Sequence, residues 1–294
     1  MIRVALGFGS DMTFDQSGGG LSRRLFLGSG AGALAFSVSG CASVETRQVE
    51  PPKTFVLVHG AWHGGWCWRD VRSLLEAAGH QVYTPTLTGL GERAHLLNAE
   101  VSLQTHIQDV ISVIEAEELQ SVTLVGHSYG GMVITGVVDD MKDRIAEVIY
   151  LDAALPQDGD TMITQGPERS SAELAGTETA LRALAPDGIA MAVPPAAIFG
   201  IAPSEIEQIA WLERRLTPHP LRTWFDRINL KNDVTVTHSG TYIQCTEPAM
   251  QNTSFGFHAN QLRSRANWRV VELETGHDAM VSAPNALVEL LLAT

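Results

Sequence analysis

Three observations predict an α/β fold built on a mostly parallel, doubly covered sheet with a helical cap inserted between its strands. Short apolar runs alternate with amphipathic stretches from Thr54 onward. A Gly-x-Ser-x-Gly turn follows directly on one of those runs. The alternation then fails from Ala153 to about residue 236, where Gly159, Gly166, Pro186, Pro194, Pro195, Pro203, Pro218 and Pro220 break up short helical pieces such as Ser204 to Arg215.

Residues 1–40 read as a targeting segment. Ser22-Arg23-Arg24-Leu25-Phe26-Leu27 precedes a glycine- and alanine-rich run too short and too soft for a membrane span, and paired arginines in that context suggest twin-arginine export. Val38-Ser39-Gly40-Cys41 resembles a lipobox, which makes Cys41 a candidate for lipidation and the envelope or periplasm the expected location. Met12 offers an alternative start. Residues 41–53 read as a linker, 54–152 and 237–294 as the core, and 153–236 as the cap.

Within the core, Thr54 to Val58 is a buried strand by composition, and the stretch from Trp68 to Ala78 a helix that Gly79 stops. Gln81 to Tyr83 forms the next strand. Ser102 caps a helix whose Leu103, Ile107, Val110, Ile111 and Ile114 keep helical spacing on one face and therefore belong to the core. Strands follow at Val122 to Val125, Val148 to Leu151, Thr241 to Thr246 and Trp268 to Leu273, and a last helix starts near Pro284. An insertion at the carboxyl ends of parallel strands lies over the ligand crevice, so the cap is expected to roof the site. Its Met191, Ile198, Phe199, Trp211, Trp224 and Phe225 are either cap core or pocket wall, with core preferred for each.

The chemistry begins at Gly126-His127-Ser128-Tyr129-Gly130. A serine held on a sharp strand-to-helix turn has its hydroxyl exposed above the sheet edge, and flanking glycines avoid crowding there. Ser128 is the candidate nucleophile. Upstream, the first strand runs into His59-Gly60-Ala61-Trp62-His63-Gly64-Gly65, and acyl transfer needs two donors on the new oxyanion, for which the amides of Ala61 and Tyr129 are the candidates. Gly60 and Trp62 on that loop are candidates to touch the substrate, while His59, His63 and His127 are expected in packing or turn roles. His277 follows the last strand, the position that brings an imidazole over Ser128 in such a sheet. The carboxylate that orients it usually follows the penultimate strand, where Glu247-Pro248 stands, so Glu247 is placed slightly ahead of its rival Asp152 at the tip of the strand beyond the nucleophile's. Asp278 is expected to point away from its neighbour's ring.

Charge narrows the partners. The chain has 20 Lys and Arg against 33 Asp and Glu; with Arg3, Arg23, Arg24, Asp11 and Asp15 in the leader, the remainder carries 17 against 31, an acidic surface that disfavours nucleic acid. There is no polybasic patch, so membrane association would come through lipid on Cys41. Cys67 and Cys245 are expected as free thiols, and no cysteine–histidine cluster has metal-ligand spacing, so neither metal nor cofactor is expected. Oligomeric state is not readable.

Four stretches carry a family likeness: Phe55 to Trp66, Leu74 to His80, Val125 to Met132, and Gly276-His277-Asp278-Ala279-Met280. Across residues 55–291 the chain resembles the α/β-hydrolase fold family, in the branch of plant methyl-ester hydrolases of salicylate-binding and methyl-jasmonate type, hydroxynitrile lyases and bacterial esterases. The resemblance implies a serine esterase acting on small to medium carboxylic esters through an acyl-enzyme. It puts the usual acid at the position of Pro248, which leaves open a catalytically impaired, lipid-anchored binding protein as the alternative. A cyanohydrin-cleaving relative is less favoured, because the resemblance then calls for a hydroxyl residue at Gly60 and a lysine at Asp278.

Overall fold

A computed structural model describes residues 51–294. The leader and Cys41 lie outside the described residues.

Strand β1 (Thr54–Val58) leads through a 3-10 turn into helix α1 (Arg69–Ala77) and strand β2 (Gln81–Tyr83). Helix α2 (Leu103–Ala116) starts at Ser102, whose hydroxyl accepts from the Thr105 amide while the Thr105 side chain returns to the Ser102 amide. All five apolar positions of its stripe are buried, as their spacing predicted. Strand β3 (Val122–His127), helix α3 (Gly130–Met141) and strand β4 (Ile145–Leu151) follow. Next come helix α4 (Ser171–Ala183), strand β5 (Ala190–Met191), helix α5 (Ile206–Glu213), strand β6 (His219–Pro220) and helix α6 (Val234–Thr237). The chain closes with strand β7 (Gly240–Cys245), helix α7 (Phe255–Leu262), strand β8 (Trp268–Leu273) and helices α8 (Ala279–Ser282) and α9 (Pro284–Leu292).

Six strands form one sheet in the order β2-β1-β3-β4-β7-β8, every neighbouring pair parallel. Alternate residues face opposite layers. Val56, Val58, Val148 and Tyr150 pack into the core shared with α2 and α3, whereas Phe55, Leu57, Ile149 and Leu151 pack into the core shared with α1 and α9. A sheet buried on both faces explains why its strands read as unbroken apolar runs. The strand order reverses between β1 and β3, so the crevice for a ligand opens above their carboxyl ends.

Between β4 and β7 the chain forms short helices and one antiparallel ribbon, β5 with β6. Met191 and Phe199 are buried, and Trp211, Trp224 and Phe225 pack against the same core as α2 and α3. Ile198, read from sequence as core or wall, is 43% exposed because it sits on the outer side of a one-turn 3-10 segment.

Candidate active site

Four loops meet above the carboxyl ends of the strands. β1 delivers Gly60 and Ala61, β3 delivers Ser128 and Tyr129, β4 delivers Asp152, and β8 delivers His277. Three of the non-glycine residues with left-handed backbone lie here: Trp62 (φ 63°), Ser128 (φ 55°) and Asp152 (φ 42°). Such conformations cost about 1–3 kcal/mol each and persist where packing holds them.

The glycines around Ser128 have measurable reasons. A Cβ on Gly126 would lie 2.7 Å from Ile134 Cδ1, and one on Gly130 would lie 2.8 Å from the His59 carbonyl oxygen, both closer than packed atoms tolerate. Gly131 is the most confined, since its Cβ would overlap the Ala154 carbonyl group. Gly60 faces the nucleophile itself: a Cβ there would stand 2.8 Å from Ser128 Cβ and 3.0 Å from His127 Nδ1. That close approach of backbone to the serine leaves no room for a side chain at this position. Trp62 behaves differently, packing its ring against Phe199, His219 and Trp224.

His277 donates from Nδ1 to Asp152 Oδ2 at 2.6 Å, with both side chains buried. This corrects the choice of Glu247 as the orienting acid. Glu247 is exposed, and among the described residues only its backbone N–H is engaged, on the Thr275 carbonyl. Asp152 prevails because β4 lies between β3 and β7: the bend at φ 42° follows the strand directly, and the Cys245 amide of β7 donates to Asp152 Oδ1 at 3.3 Å, fixing the carboxylate's orientation. The His277 ring lies parallel to Phe255 at 5.4 Å and 4.5 Å from the ring of His127, the residue before Ser128. With Nδ1 committed to Asp152, Nε2 is the nitrogen left to take a proton.

The proposed oxyanion amides are spared by the rest of the protein. Among the described residues neither the Ala61 nor the Tyr129 N–H donates to a protein acceptor. Their peptides are nonetheless held. His59 donates from Nδ1 to the Gly60 carbonyl at 2.8 Å while its Nε2 accepts from the Leu87 amide at 3.1 Å. In a trans peptide the carbonyl and the following N–H point opposite ways, so fixing the Gly60 oxygen aims the Ala61 N–H. The next peptide is held twice, by His63 Nδ1 on the Ala61 carbonyl at 2.7 Å and by the Trp62 amide on His219 Nδ1 at 3.3 Å. Sequence reading gave His59 and His63 packing or turn roles, and their hydrogen-bonding duties depend on contacts that no local pattern reveals.

Burial sets the protonation of this cluster. It pushes His59 down to about 3 and holds His127 and His219 well below the ordinary imidazole range, with neighbouring imidazoles adding to the effect. His63 moves the other way: burial opposes its charge, but the facing Asp278 carboxylate raises it overall. His127, His277 and Asp278 bring ligating atoms within 4.8 Å of one another. Of their polar atoms, His127 Nε2 donates to the His277 carbonyl, His277 Nδ1 to Asp152, and Asp278 Oδ2 pairs with His63.

A cavity of about 650 Å³ adjoins this centre, lined in part by Met162, Ile163, Arg169, Trp224 and Phe255. Phe255 is the residue stacked on His277, and Trp224 lies 5.8 Å, ring to ring, from Trp62 of the β1 loop. Cys67 and Cys245 are both free and buried.

Residues 55–290 match the family model described as alpha/beta hydrolase family. The chain is 42% identical over 244 residues to the carbendazim hydrolyzing esterase of Nocardioides sp. (strain SG-4G), spanning 81% of this chain and 98% of that protein. Salicylic acid-binding protein 2 of Nicotiana tabacum is 34% identical over 125 residues, 41% of this chain and 48% of the relative. Among solved structures, an extracellular alpha/beta-hydrolase from a Paenibacillus species superposes with a TM-score of 0.70 at 28% identity, covering 82% of this chain and 98% of that one; it is described as sharing structural and functional homology with the tobacco protein.

Proposed function

The chain belongs to the α/β hydrolase family and is an esterase, and from that premise we propose that it cleaves small to medium carboxylic esters through a serine acyl-enzyme. The observation that carries the mechanism is the 2.6 Å contact of His277 with Asp152, which leaves Nε2 as the base at the sheet edge where Ser128 is held at positive φ. His277 Nε2 takes the Ser128 proton as Oγ attacks the ester carbonyl. Negative charge develops on the carbonyl oxygen, where the free Ala61 and Tyr129 amides donate to it. The imidazolium, stabilised by Asp152, then gives its proton to the departing alcohol, and water repeats the cycle on the acyl-enzyme.

The case for an impaired binding protein rested on the proline at the usual acid position. Asp152 supplies a carboxylate to His277 from another strand, so that ground is gone. Cyanohydrin cleavage is not favoured either: the position after His277 holds an acid turned onto His63, not a cation for a departing anion. The cavity beside His277 is walled by Met162, Ile163, Trp224 and Phe255 and also by polar and charged residues such as Arg169 and Glu173, which suits esters that join an apolar or aromatic part to a polar group. Carbendazim, named for the Nocardioides relative, is therefore among the first compounds to assay. A fluorophosphonate probe should label wild-type protein at Ser128, and Ser128→Ala should abolish both labelling and turnover; undiminished turnover in that variant would reject the mechanism.

Export and a lipid anchor belong to the same proposal, supported by Arg23-Arg24 and by Cys41 after Val38-Ser39-Gly40. Mass analysis of the mature N-terminus tests it, with a diacylated Cys41 expected and an unprocessed Met start contradicting it.

A further inference from the structure

We propose that Asp278 is a positioning residue of the esterase reaction, tying the loop that presents the Ala61 amide to the loop that delivers His277 by way of His63; this rests on the serine-esterase reading above. His63 Nδ1 stands 2.7 Å from the Ala61 carbonyl oxygen, which can only accept, so Nδ1 carries a hydrogen. The opposite ring nitrogen, Nε2, stands 3.0 Å from Asp278 Oδ2. Both side chains are buried, at 1% and 0% exposure, so an unpaired carboxylate at Asp278 would be costly and the contact is an imidazolium–carboxylate pair. The raised proton affinity of His63 agrees.

The pair joins residues 215 positions apart in the chain. On one side His63 grips the Ala61–Trp62 peptide. On the other, Asp278 follows His277 directly, its own amide donates to the Phe199 carbonyl at 3.0 Å, and the His277 carbonyl accepts from His127 Nε2 at 3.0 Å. Through this one link the donor for the oxyanion and the base for the serine share a common frame. A buried ion pair is a poor device for stability, because an apolar pair of similar volume often does as well or better. Its directional bonds instead fix the relative placement of two loops, and displacement on the order of 1 Å at a reacting centre costs about 100-fold in rate.

The test exploits that contrast. The double variant His63→Phe/Asp278→Leu fills the same space, keeps ring packing against Trp66 and Phe199, and removes the directional link. It should remain folded, melting somewhat below the wild type because the Ala61 carbonyl loses its donor, yet lose about 10- to 100-fold in kcat with KM nearly unchanged. Affinity for a boronic acid transition-state analogue should fall by the same factor as kcat/KM. Asp278→Asn, whose amide N–H can donate to the neutral His63 Nε2 while Nδ1 keeps the Ala61 carbonyl, should restore most of the rate. A double variant that is stable and retains wild-type kcat and boronate affinity overturns the proposal. If the double variant does not fold, Asp278→Asn against Asp278→Leu decides alone: equal rates in both overturn it, and a rate recovered only by Asn supports it. A wild-type enzyme with neither ester turnover nor fluorophosphonate labelling would instead bring down the serine-esterase reading, a failure visible before any variant is made.

Discussion

Replacing Asp152 with asparagine should reduce kcat/KM by about 10⁴-fold while leaving the fold intact. The size follows from which atom must face His277. The Cys245 amide donates to one Asp152 oxygen at 3.3 Å, and the other oxygen accepts from His277 Nδ1 at 2.6 Å. Asparagine can satisfy the Cys245 amide only with its carbonyl oxygen, which turns its NH2 group toward His277 Nδ1. That nitrogen must then accept, so the imidazole proton moves to Nε2, where it blocks the proton transfer from Ser128. A loss of four powers of ten corresponds to about 5.4 kcal/mol of transition-state stabilisation. Steady-state hydrolysis of p-nitrophenyl esters gives the ratio, with thermal melts to confirm folding. Glu247→Gln, made in parallel, should change the rate by less than about twofold, because that side chain is exposed and away from the imidazole. An Asp152→Asn enzyme within tenfold of wild type, or a large loss in Glu247→Gln, would refute the reasoning.

Other perturbations give separate readings. Gly60→Ala places a methyl 2.8 Å from Ser128 Cβ and should lower kcat by about 10- to 100-fold without unfolding the protein, as paired kinetics and melts would show. Phe255→Ala removes a ring that stacks on His277 and walls the cavity, so KM for aromatic esters should rise more than KM for acetate esters. Acid should destabilise the fold through its buried neutral histidines. His59 is lowered from 6.5 to about 3, so between those values the unfolded chain binds the extra proton and stability falls as pH falls. His59 alone accounts for roughly 2–3 kcal/mol between neutrality and about pH 4.5, readable by urea titration at the two pH values, and His59→Gln should flatten that dependence.

Much of the site was legible because its parts are local. The strand-turn-helix around Ser128, the glycines that crowding requires, and a histidine after the last strand are properties of short stretches, and the structure places them at one sheet edge. The acid was not legible in the same way. Glu247 occupies the position that a local pattern favours, but the choice of Asp152 depends on β4 lying beside β7 and on a Cys245 amide 93 residues away in sequence. His59 and His63 went unread for the same reason: whether a buried histidine merely fills space or holds a peptide is decided by the carbonyl it meets. The stripe on α2 was the opposite case, since helical spacing alone identified its five buried apolar residues.

The proposed mechanism requires that Ser128 become acylated. Wild-type protein mixed with p-nitrophenyl acetate, quenched with acid within its first turnovers and digested, should give a burst of nitrophenol and an acetyl group on the peptide bearing Ser128. Steady hydrolysis with no burst and no adduct, retained in Ser128→Ala, would contradict it.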